Sequence, residues 1–137
     1  MFRSLPSPHL TVTVILVVLA TVSAVGAILV GIDDNPPGVA LAMLAGSILV
    51  TAFVHHWRSP KRFLVLCAIS LGLIVILGGI SIAIDIALTG GHLPEPVAPA
   101  VESAGNALAL MIAFLAVPSV FVSLAGALVV WLAGRRK

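Results

Sequence analysis

The sequence predicts an all-α fold: an integral membrane four-helix transmembrane bundle made of two antiparallel helical hairpins, with both termini on the cytoplasmic side. Three observations lead there. Hydrophobic residues make up 61% of the 137-residue chain and charged residues only 9%, against about 25% charged residues in soluble domains. So few charges cannot cover a soluble domain of this size, and hydrocarbon must cover it instead. Four long apolar stretches divide the chain, at about 10–32, 38–56, 63–88 and 107–133. Finally, the basic residues and the acidic residues fall at opposite ends of those stretches.

A helix needs about 20 residues, rising 1.5 Å each, to cross about 30 Å of hydrocarbon. The first, third and fourth stretches reach that length unaided. The apolar part of the second, Val39 to Val54, is shorter, and Gly38 with residues 55–57 extends it into the interface. Lipid-exposed strands would leave backbone groups unpaired, so the β-branched run at residues 11–18 does not argue for a sheet. Between stretches one and two, residues 31–38 form a compact turn. Asp34 or Asn35 is placed to cap the next helix, and proline suits its first turn. A second short connection, residues 55–62, carries Pro60 as its helix breaker. The third connection, residues 89–99, has Pro94, Pro96 and Pro99 and favours an extended path. Residues 100–106 are expected to start a helical turn leading into the fourth stretch. Together these form one domain over residues 1–137.

Charge sets the orientation. Arg3, Arg58, Lys61, Arg62, Arg135, Arg136 and Lys137 share one side, while Asp33, Asp34, Asp85, Glu95 and Glu102 share the other. The Lys/Arg bias places the basic side in the cytoplasm, which suits a multi-pass protein of the cell membrane. Trp57 and Trp131 fall at that same interface, where indoles prefer to lie. With Arg58, Lys61 and Arg62 they are the expected interface anchors, and the lipid bilayer, with anionic lipid at this face, is the expected partner. Net charge is only +2, which gives no argument for nucleic acid. A competing reading takes Arg3, the first apolar run and residues 22–24 as a cleaved signal peptide. That run continues to Ile32, longer than the usual signal core.

Ionisable groups inside a membrane are functional candidates, so depth matters. Counting about 20 residues from Phe63 puts the far boundary near Ala83. Asp85 then lies at the rim, with Ser81 one turn below on the same face. The pair is a candidate ion or polar site at the outer mouth of a cavity; the plainer reading is a hydrated acid. The same count back from Trp131 puts Glu102 beyond the lipid. A metal held by His92 with Glu95 or Glu102 lacks the three or four ligands such a site wants. His55 and His56 are helix neighbours pointing about 100° apart, which does not suit one ion. Cys67 lies in an apolar run and reads as an inert small hydrophobe. The membrane hydroxyls Ser23, Ser47, Ser70, Ser81, Ser119 and Ser123 have no base at matched depth and are expected to bond back to their own helices or across to a neighbour. No catalytic, metal or cofactor constellation emerges.

Small residues carry more information. Gly38, Ala42 and Gly46 repeat every four residues in the second stretch. The first carries Ala20, Ala24, Ala27 and Gly31, and the third Ala68, Gly72, Gly79, Ala83 and Ala87. Such faces let helix backbones approach closely, within the chain or in a homo- or hetero-oligomer. Gly78, Gly79 and Pro118 are expected bends. In size and topology the chain resembles the small multidrug transporters. That family carries a membrane-embedded glutamate in its first helix; here no acid lies between Leu10 and Ile32, so no function is carried over. The expected function is an accessory, assembly or scaffold role through helix packing, without catalysis. The alternative is a small transporter or oligomeric channel with Asp85 at its outer mouth.

Overall fold

The computed structural model describes residues 8–32, 35–91, 94 and 96–135. Helices dominate, and no strand occurs among the described residues. They are α1 (Pro8–Val30), α2 (Pro36–Val54), α3 (Pro60–Thr89), α4 (Ala98–Met111) and α5 (Val117–Arg135), with a π-helical turn at Ile112–Ala116 joining the last two. Counting α4 through α5 as one 38-residue span, four helices are long and apolar enough to cross a membrane. They fit a small multi-pass membrane protein surrounded by lipid.

The first connection is closed by backbone chemistry more than by side-chain capping. Gly31 ends α1 with φ of 89°, a left-handed conformation that glycine adopts at little cost. Asn35 occupies the N-cap of α2 without capping it. Its side-chain amide instead donates to the Val30 carbonyl, at 2.8 Å. Pro36 and Pro37 occupy the first turn, where a missing N–H costs nothing. Asp33 and Asp34 lie outside the described residues, as do Arg3, His92, Glu95, Arg136 and Lys137.

The helices make an open bundle. α1 packs on α2 and on no other helix; α2 also packs on the π-turn and α5; α3 packs on α4, the π-turn and α5. The order across the bundle is therefore α1, α2, then α4 with α5, then α3. Although α2 and α3 are joined by a short turn, α5 lies between them. At this crossing the buried Phe63 ring packs so closely on Gly126 that a Cβ there would overlap it.

Two helices outrun the hydrocarbon. α3 has 30 residues, or roughly 45 Å. The helix from Ala98 to Arg135 has 38 residues, or roughly 57 Å. Residues 98–106 are thus more than an initial turn: helix is continuous from Ala98 to Arg135, and its first part packs on the end of α3. α3 runs unbroken through Gly78 and Gly79, while the irregularity near Pro118 is the π-turn just before it.

Candidate functional site

The far ends of α3 and α4 enclose a polar cleft. Ser81, Asp85, Leu88 and Thr89 come from one face of α3, at spacings of three and four. Glu102, Gly105, Asn106 and Ala109 come from one face of α4 at the same spacings. Helical periodicity makes each set a stripe, and the pairing of the two helices turns the stripes toward each other. Gly105 sets the separation, since a Cβ there would lie 3.1 Å from Ile84 Cγ2. The cleft holds about 540 Å³. Sequence depth-counting placed Asp85 at the rim and Glu102 in water, but it did not bring them together. The structure does, with Ser81 below and Asn106 beside them.

The chemistry of this cleft is that of oxygen donors. Asp85 and Glu102 are exposed, and Thr89 Oγ1 donates to the Asp85 backbone carbonyl at 2.8 Å. No histidine, cysteine or cation among the described residues lines it. Among the described residues no three His, Cys, Asp or Glu side chains gather as a metal site. The cleft suits weak, hydrated contact with a cation or an amine.

The Gly38, Ala42 and Gly46 face is buried inside this chain. A Cβ on Gly38 would overlap the Gly31 carbonyl oxygen, and one on Gly46 would overlap the Phe114 carbonyl oxygen. The second contact has a cause in the opposing helix. Pro118 lacks an N–H and its ring crowds the carbonyl four residues earlier, which is that of Phe114. The backbone responds with the π-turn, in which the Val117 N–H reaches the Ile112 carbonyl. The Phe114 carbonyl is turned out of the helix and onto the bare Cα of Gly46. A Cα–H to oxygen contact is the interaction such geometry provides.

Several hydroxyls turn inward on their own backbone. Ser47 donates to Met43, Thr51 to Ser47, Ser119 to Leu115 and Ser123 to Val120 carbonyls, at 2.6 to 2.9 Å. Cys67 is buried and free.

The opposite end of the bundle is basic and aromatic. Arg58 and Trp57 lie in the turn after α2, Lys61 and Arg62 open α3, and Trp131 and Arg135 close α5. Trp57 packs edge-on to Phe63 with centroids 5.4 Å apart, and the Arg135 guanidinium lies 3.7 Å over the Trp131 ring. His9, which sequence reading passed over, meets His55 here at 6.3 Å between ring centroids, and His56 lies 5.6 Å from His55. This contact joins the start of α1 to the end of α2, and that of Gly31 with Gly38 joins the end of α1 to the start of α2. His55 Nδ1 faces the Ala52 carbonyl at 2.9 Å, so Nδ1 carries the proton. Its Nε2 is buried and has no partner among the described residues. The two ends are far apart: Lys61 and Asp85 are 24 residues apart on α3, or roughly 36 Å.

The third stretch differs from the second. Ala68, Gly72, Gly79 and Ala83 all lie exposed on one side of α3, and a Cβ on Gly72 or Gly79 would meet nothing within 4 Å. Val65, Val75, Ile76, Ile82 and Ile86 flank them, equally exposed. Phe63, Cys67 and Ser70 are buried on the other side, against α5. Comparison with protein-family models, with curated proteins and with solved structures finds no match to this chain.

Proposed function

We propose that the chain is a non-enzymatic accessory or assembly component of the cell membrane, and that it acts by packing another transmembrane helix onto the outward face of α3. Its two hairpins lie N-in and C-in, with the basic end in the cytoplasm and in contact with anionic lipid. The observation that carries this reading is the uncovered row of Ala68, Gly72, Gly79 and Ala83, framed by β-branched side chains. In lipid, apolar surface gives no drive to associate, so helix pairing depends on close backbone approach at small residues. A face of that composition with nothing packed on it is suited to a partner helix.

A second reading has the cleft of Ser81, Asp85, Glu102 and Asn106 as the mouth of a small transporter or oligomeric channel. The two separate cleanly in a mild-detergent comparison. If packing is the function, Gly72→Leu with Gly79→Leu reduces the mass of the purified assembly to one chain, and Asp85→Asn leaves it unchanged. Loss of function in Asp85→Asn with assembly intact would sink the packing reading in favour of transport.

A further inference from the structure

We propose that the cleft between the Trp57 and Arg58 turn and the end of α5 is a discrete site for one anionic phospholipid, with the phosphate on Arg58 and an acyl chain along Val129 and Val130. The cleft holds about 300 Å³ and is lined by Trp57, Arg58, Val129, Val130, Ala133 and Gly134. It is therefore amphipathic in the way a phospholipid is, with one cation among the described residues and an apolar wall.

Both sides of the cleft have reasons to keep their shape. Trp57 is held edge-on by Phe63, which is itself buried against Gly126. On the α5 side the small residues Ala133 and Gly134 leave room. Gly134 is not required by the protein's own packing, since a Cβ there would meet nothing within 4 Å. The space beside Gly134 is open.

Charge selects the occupant. Arg58, Lys61, Arg62 and Arg135 share this end, and the described acids Asp85 and Glu102 line the cleft at the far end. That separation exceeds by far the screening length of about 8 Å at physiological salt. Arg135 lies over Trp131, and of the four described cations Arg58 is the one that lines the cleft. A guanidinium can hold phosphate oxygens through paired N–H donors, and tryptophan favours the same headgroup depth. The site rests on the chain lying in a bilayer, and it needs neither a protein partner nor a particular orientation.

The test uses native mass spectrometry of the full chain in detergent, titrated with phosphatidylglycerol or with phosphatidylcholine of matched acyl chains. One phosphatidylglycerol adduct is expected, at a concentration about tenfold or more below that needed for phosphatidylcholine. Arg58→Gln should weaken it by about tenfold. Gly134→Leu, which fills the cleft and leaves the charge unchanged, should weaken it as much, and Ala133→Leu serves as a second filling variant. Arg62→Gln should keep the adduct. Retention of full phosphatidylglycerol affinity by both filling variants would mean diffuse charge attraction and would overturn the site. So would equal affinity for the two lipids, or displacement by glycerol phosphate carrying no acyl chain. The readout counts lipids on a single chain, so it is independent of whether α3 docks a partner.

Discussion

The small residues of α2 and those of α3 look alike in sequence and behave oppositely in the fold. Gly38 and Gly46 lie against carbonyl oxygens of their own chain, one from the end of α1 and one from the π-turn. Gly72 and Gly79 lie against nothing. The stripe alone therefore does not say whether a helix face is internal or external. What decides it is a feature of the opposing element. For α2 that feature is Pro118, which forces a carbonyl out of its helix; among the described residues no element plays that role for α3. The two faces thus have separate meanings. One closes the fold, and the other is uncovered.

That contrast can be broken in order of expected effect. The largest change should come from Gly46→Leu. Its side chain would have to displace the Phe114 backbone, which cannot rotate away, and overpacking of this kind costs about 1–3 kcal/mol or more. Thermal unfolding in detergent should show a large drop in melting temperature or no folded protein; a melting curve like the parent's would mean that the α2 face is not closed as described. Gly126→Leu should come next, by about 1–3 kcal/mol, because the overlapped group is the Phe63 ring and a ring can shift where backbone cannot. Pro118→Ala removes a fully buried ring and should cost about 1 kcal/mol through the space left behind. The smallest effect on stability should come from Gly72→Leu and Gly79→Leu. Both positions are open, leucine has the higher helix propensity, and the melting temperature should hold or rise slightly. A drop comparable to that of Gly46→Leu would erase the distinction between the two faces.

Much of this was readable beforehand, and the rest was hidden for physical reasons. The apolar runs located all four spans because hydrocarbon imposes length and composition together. Depth-counting treated Asp85 and Glu102 separately, while the fold has both line one cleft at the end of α3 and α4. The pairing of those two acids was not legible. It depends on α4 beginning at Ala98, and residues 98–106 are too polar for hydropathy to mark them. Their spacing did hold the signal: 81, 85, 88 and 89 on one helix, 102, 105, 106 and 109 on the other. The meeting of His9 with His55 needed the register of α1 on α2, which is set where Gly31 touches Gly38. The π-turn was expected only as a bend at Pro118; which carbonyl it would turn out, and toward which glycine, needed the neighbour in view.

The central claim is that α3 presents an outward face for another transmembrane helix. The most direct measurement places a photo-crosslinking residue at Gly79 and, separately, at Ser70, which is buried on the opposite side of the same helix. Irradiation is carried out in native membranes, followed by mass analysis of the adducts. The account predicts a protein adduct of higher mass from Gly79 and only intrachain products from Ser70. Lipid as the sole adduct at Gly79, in membranes where the chain is otherwise intact, would contradict it.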